Sequence, residues 1–235
     1  MAVYSLVLSD NLQEELHKFR NNEDFDQLTI QRLLQYYKAP VLTNTNQLTR
    51  IGRNTNRNLE ITLRKSGYTT QPLDDLANKT LYKVILCTDK STYPYVNINQ
   101  DKIENNLSGC FFKGEDRQKA ILHIRALCHD AESICIYDKH FSKSDGNVDI
   151  LKGLLPTRKL TLIYDPNHIN NEDSAKLKSH CPMWDLEKKI LPGLHDRYLV
   201  IDEKIEIILT SGFSYLGSLE KEMTYIVRAV SQNRF

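Results

Sequence analysis

The sequence predicts an α/β protein, with a mixed sheet flanked by helices over residues 111–235 and a smaller α+β region over residues 1–110. Three observations point there. From Gly109 onward, short runs of strand-forming residues alternate with amphipathic stretches, the pattern of a sheet covered on both faces. Two apolar runs flank Asp202-Glu203-Lys204, which reads as a hairpin turn and adds antiparallel pairing. Finally, 235 residues with 40% apolar content can bury a sizeable core, as one large domain or two small ones.

In the first region, Val3 to Leu8 is strand-forming, and Ser9, Asp10 and Asn11 are N-cap candidates for a helix running to Phe19. Asn21 to Asp24 interrupts the chain, and Phe25 to Tyr37 predicts a second helix that ends before Pro40. Leu28, Leu33, Leu34 and Tyr37 fall at helical spacing and give it a core stripe. The chain then turns polar and Asn-rich from Thr43 to Asn58. Arg50, Arg53 and Arg57 recur there at three- and four-residue spacing, with no acid until Glu60. On a helix they would share one face, which can follow a phosphate backbone or pair with acids elsewhere. Arg64 and Lys65 extend the series. Leu73 to Ala77 predicts a short helix, and Tyr82 to Cys87 and Tyr93 to Ile98 predict strands.

The second region is more regular. Gly114 to Arg117 opens a helix whose apolar positions are Ala120, Ile121, Ile124, Leu127, Cys128 and Ala131. Ser133 to Tyr137 is a strand, Asn147 to Leu155 a helix stopped by Pro156, and Lys159 to Tyr164 a strand. Glu172 to His180 is a helix, Trp184 to Ile190 a strand, and Met223 to Val230 the last strand after the hairpin. In such sheets chemistry gathers beyond the carboxyl ends of strands, which places Asp138, His140, Asp165 and His168 near a candidate cleft.

The hairpin carries the sharpest pattern in the chain. His195 stands two residues before Arg197, Asp202 follows, and the second strand leads to Thr210-Ser211-Gly212-Phe213-Ser214 and then Glu222. Residues two apart on a strand share a face, so His195 and Arg197 are expected to project together. Asp202 has the opposite parity and falls at the turn, where it anchors the hairpin rather than the histidine. An imidazole beside a guanidinium suits attack on a phosphate: the ring nitrogen is a nucleophile and the planar fork grips oxygens.

These residues resemble the signature of the phospholipase D superfamily: His-x-Lys, four residues, Asp, then a small Gly/Ser turn with Asn. Here the lysine is Arg197, and Ser211-Gly212-Phe213-Ser214 lacks the Asn and is displaced by a residue or two. Arginine keeps the charge but offers a different donor geometry. The resemblance implies a phospholipase D-like fold and cofactor-free, metal-independent phosphodiester cleavage through a phosphohistidine. His195 would be nucleophile and, from a second copy, general acid and base. Arg197, Ser211 and Ser214 would hold phosphate oxygens, Asp202 would anchor, and Glu222 would orient the imidazole. One signature per chain implies a homodimer that supplies His195 twice. A short chain with a single signature is similar to the nucleases of the superfamily, including phage-defence members. DNA or RNA is then the expected partner, gripped in part by Arg50, Arg53 and Arg57, with a regulatory or helicase/ATPase protein as a further partner. The alternative that the departures favour is a module of this fold that binds phospholipid headgroups without cleaving them, or that scaffolds a defence complex.

Bulk composition neither adds to this nor opposes it. Lys plus Arg total 31 against 30 acids, so any nucleic-acid binding must come from local patches. No run is long and apolar enough to span a bilayer, and the opening residues are too short for a signal segment, so a cytoplasmic protein is expected. Five cysteines without framework spacing fit reduced thiols; Cys128, Cys135 and Cys181 lie near His123, His129 and His180, yet no paired zinc spacing occurs.

Overall fold

The computed structural model describes residues 4–52, 57–105 and 107–230. The chain divides into two compact units, residues 1–105 and 106–235.

The first unit opens with β1 (Leu6–Leu8) and α1 (Asp10–Arg20), whose N-cap Ser9 accepts from the Leu12 amide. It continues through α2 (Gln27–Tyr36), β2 (Val41–Leu42), α3 (Thr45–Arg50), α4 (Arg57–Lys65) and α5 (Leu73–Asn78) to β3 (Ile85–Cys87) and β4 (Tyr95–Asn97). Among the described residues its strands make a parallel sheet in the order β2-β1-β3-β4, filled by Val7, Leu42, Leu76, Ala77 and Ile85.

Two expectations for this unit are corrected. The core stripe of α2 is Ile30, Leu33 and Tyr36, while Leu28 and Leu34 face solvent. The arginine series does not lie on one helix. Arg50 ends α3, Gly52 follows at φ +66, a left-handed conformation that closes a helix, and Arg57 begins α4. Arg53 lies outside the described residues. Arg50 forks onto Asp10, with Nε 2.7 Å from Oδ2 and Nη2 2.9 Å from Oδ1, and Gln47 also donates to that carboxylate.

The second unit runs β5 (Ser108–Phe111), α6 (Gln118–His129), β6 (Ser133–Tyr137), α7 (Asn147–Leu154), β7 (Leu160–Tyr164), α8 (Asn171–His180), β8 (Trp184–Lys188), β9 (Arg197–Ile201), β10 (Ile205–Leu209) and β11 (Met223–Ala229). The described strands form one mixed sheet in the order β5-β11-β10-β9-β6-β7-β8. Strands β6, β7 and β8 are parallel, joined by α7 and α8. The remaining strands pair antiparallel, with β9 against β6 at the junction of the two halves. Alternation along β9 explains its burial on both sides. Leu199 is fully buried on one face; Tyr198 and Val200 join Cys135, Tyr137, Ile208 and Leu191 in a cluster on the other.

This topology sets the site. The carboxyl ends of β6, β7, β8 and β10 and the amino ends of β9 and β11 all reach the same edge of the sheet. The chain from β8 to β9 must cross the ends of β7 and β6 to get there, and His195 lies at the end of that crossing.

Candidate functional site

Residues 189–196 are held as they cross the sheet edge. At the end of β7, Asp165 accepts the Leu191 amide at 2.9 Å through Oδ2 and the Asn167 amide at 2.8 Å through Oδ1. Burial pushes the Asp165 carboxyl pKa up, but these amides and the nearby His168 outweigh it and hold the carboxyl below its ordinary value. At the end of β6, the Tyr137 hydroxyl accepts the Leu194 amide at 2.8 Å and donates to the Leu194 carbonyl at 3.0 Å. The residue before His195 is therefore bound on both of its backbone groups.

His195 itself stands in a bend before β9, not on the strand, which begins at Arg197. That corrects the shared-face expectation. The imidazole is 89% exposed, with Nδ1 3.4 Å from Asp196 Oδ1. Arg197 turns inward instead, with only 19% of its side chain exposed. Its Nε lies 3.6 Å from Oδ1 of Asp138, which is buried at the end of β6 and also accepts the His140 amide. The β6–β9 register explains the meeting: Tyr137 faces Tyr198, so the next pair outward is Asp138 and Arg197. Arg197 Nη1 reaches the Thr210 carbonyl at 3.4 Å, and its buried Nε makes no hydrogen bond among the described residues. No hydrogen bond or ion pair among the described residues joins His195 to Arg197.

Asp202 lies in the β9–β10 turn at φ +49, with Glu203 at φ +54. Its Oδ1 accepts the amides of Glu132 and Ser133 at 2.9 and 2.8 Å, which ties the hairpin to the start of β6, at the opposite edge from His195. Ser211 and Glu222 reach the same edge as His195, and Ser211 Oγ is 3.5 Å from the Glu222 carbonyl. The Glu222 carboxylate is exposed, and no bond between it and the imidazole is present among the described residues. Ser214 sits in a 3-10 turn, Phe213–Leu216, where its amide donates to Asn147 Oδ1 at 2.7 Å. There it lines a cleft of about 420 Å³ with Asp145, Asp149, Tyr215, Ser218 and Lys221, which does not include His195.

The chain is similar to a phospholipase D family member. That protein, Nuc from Salmonella typhimurium, is 15% identical over a match covering 51% of this chain and 79% of its own, with a TM-score of 0.32. NucT from Helicobacter pylori matches at 16% identity, covering 53% of this chain and 85% of NucT, with a TM-score of 0.34. TrmBL2, an archaeal chromatin protein whose structure shows a novel mode of DNA binding, matches at 16% identity over 51% of this chain, with a TM-score of 0.28; only 45% of TrmBL2 is covered. No protein-family model and no curated protein matches the chain.

Several residues that build the site carry no signature of their own. Tyr137 and Asp196 read as strand and spacer in the sequence. Arg117, which reads as a helix-opening residue, is buried and donates to the carbonyls of Tyr215, Ser218 and Lys221, holding the turn between Ser211 and Glu222. Asp138 and Asp165 were legible only as acids at the carboxyl ends of strands. Their partners come from distant segments, which spacing along the chain does not encode.

Proposed function

We propose that this chain is a metal-independent phosphodiesterase that cleaves DNA or RNA through a phosphohistidine, in a site completed by a second copy of itself. The observation that carries the reading is the presentation of His195. A histidine without a role is most simply solvated and untethered, or buried and satisfied. This one is exposed on a segment bonded to the fold at Asp165 and at Tyr137, and an acid lies next to its Nδ1. With Nδ1 protonated toward Asp196, Nε2 keeps its lone pair for attack.

In the first step Nε2 of one His195 forms a bond to phosphorus while the ester P–O bond breaks. The departing oxygen takes its proton from the His195 of the second copy. In the second step that imidazole removes a proton from water, the hydroxyl oxygen bonds to phosphorus, and the P–N bond breaks. The Arg197 guanidinium and Ser211 supply donors on the same sheet edge for the charge that builds on the non-bridging oxygens. Asp202 acts at the far edge, through the hairpin.

Cleavage of labelled single- and double-stranded DNA and RNA in EDTA tests the reading. Activity that survives chelation and falls at least about 1,000-fold in His195→Ala supports it, since loss of a nucleophile removes several kcal/mol of transition-state stabilisation. Because the side chain is so exposed, stability should change by no more than about 0.5 kcal/mol. The inward turn of Arg197 onto buried Asp138 favours one other reading, a module that binds phosphate diesters without turnover. Headgroup or oligonucleotide binding that persists with no cleavage under any condition would select it.

A further inference from the structure

We infer that four lysines on the loops beyond β6 and β8 form the track along which a nucleic-acid strand leaves the reacting phosphate. This rests on the proposed nuclease reading and adds the surface that holds the polymer. Lys139 and Lys143 lie on the loop after β6, and Lys188 and Lys189 where β8 passes into the segment leading to His195. Lys143, Lys188 and Lys189 are exposed and Lys139 is half-buried. Among the described residues none of the four is in an ion pair, and Lys188 meets only the neutral Asn171 Oδ1, at 3.3 Å.

Three acids at this end of the sheet have partners other than these lysines. Asp138 and Asp165 are buried and spend their oxygens on the His140, Asn167 and Leu191 amides and on Arg197. Asp173 at the start of α8 takes the Ser142 hydroxyl and lies 3.7 Å from Lys176. Asp145 and Glu187 stay exposed on these segments and Asp196 is half-buried, but none of them is in an ion pair with the four lysines among the described residues, so the lysines outnumber the exposed acids there in a chain whose overall charge is only +1.

Strand order gives the patch a direction. His195 stands at β9, and β6, β7 and β8 follow in sequence across the sheet. Three inter-strand steps place the far lysines about 14 Å from the strand that carries the histidine. A small diester headed for His195 has nothing to contact there. A polynucleotide does, because each added phosphate can meet a further cation. The expected arginine face in the first unit is no competitor of the same kind, since Arg50 is committed to Asp10.

The test is equilibrium binding of a fluorescent single-stranded oligonucleotide across a salt series, using the full chain. Each double variant, Lys139→Gln/Lys143→Gln and Lys188→Gln/Lys189→Gln, should weaken binding and flatten the dependence of log affinity on log salt by about 1.4, near 0.7 per lysine. All four positions are on the surface, and thermal melts check that the variants fold. An unchanged slope in either pair overturns the track, as does loss of slope only in Arg50→Gln/Arg57→Gln. Lysine-dependent binding to vesicles of phosphatidylcholine with phosphatidylserine, with none to the oligonucleotide, overturns it in favour of a lipid surface. Binding is read with the lysine variants carried in the His195→Ala background, so turnover does not enter; the predicted slopes together with no cleavage by the wild-type protein defeat the phosphohistidine reading and leave the track intact.

Discussion

Asp165 and Tyr137 fix the position of His195 without touching its ring, since both bind the backbone of the segment that delivers it. Asp165→Asn tests the first tether. An amide can accept through one oxygen only, so either the buried Leu191 amide or the part-buried Asn167 amide loses its partner, at a cost of about 1–3 kcal/mol by urea denaturation at neutral pH if it is the Leu191 amide. The pH dependence follows from the depressed carboxyl pKa. The folded protein holds the Asp165 proton less tightly than the unfolded chain does, so its contribution is complete above the unfolded carboxylate value of about 3.9. It is lost as pH falls through the lower folded value. The stability gap between wild type and Asp165→Asn should therefore stay constant from neutral pH to about 5 and shrink as the carboxylate titrates below that. A gap that widens in acid would contradict the assignment. The same variant should impair cleavage more than it impairs substrate binding, because the tether positions the proposed nucleophile.

At the scale of elements, the β9–β10 hairpin shows what a sequence states and what it withholds. The strand-forming run through Tyr198-Leu199-Val200-Ile201 and the acidic turn announce a hairpin, and Ser133–Tyr137 has the bounds its β-branched core suggests. Both turn residues adopt positive φ, the primed-turn geometry that matches strand twist, and there Glu203 bears a steric cost that glycine does not. Glu203→Gly, which creates an Asp-Gly turn, should raise stability by up to about 1 kcal/mol, measured as a higher urea midpoint at unchanged slope. Elsewhere the signal was ambiguous. In α2 the apolar residues ring much of the helix, and packing against α1 rather than spacing decides that Ile30, Leu33 and Tyr36 are covered. The arginine series fails for a reason the sequence did contain: Gly52, two residues past Arg50, ends the helix. Spacing alone also placed His195 on a strand that begins two residues later, because strand length depends on pairing partners that local sequence does not name.

For the whole molecule, the proposed mechanism asks for a second imidazole, so one chain would carry half of the site. The signature histidine is exposed, Arg197 is partly spent on Asp138, and no second imidazole is bonded to His195 among the described residues. A two-fold axis near the sheet edge would bring the same residues back with opposite polarity, so that one His195 attacks while the other protonates the departing oxygen. Mixing experiments separate this from a site complete within one chain. Wild type and His195→Ala, distinguishable by tag, are unfolded together and refolded at varied ratios with total protein fixed. If cleavage needs both imidazoles, mixed dimers are inactive and total activity follows the square of the wild-type fraction. If one histidine suffices, activity follows that fraction linearly. Light scattering on the same samples fixes the stoichiometry. A quadratic response from a protein that sediments as a dimer is the expected outcome, whereas a linear one would place the second proton donor inside the chain, with His140 and His168 on the same sheet edge as the side chains to substitute next.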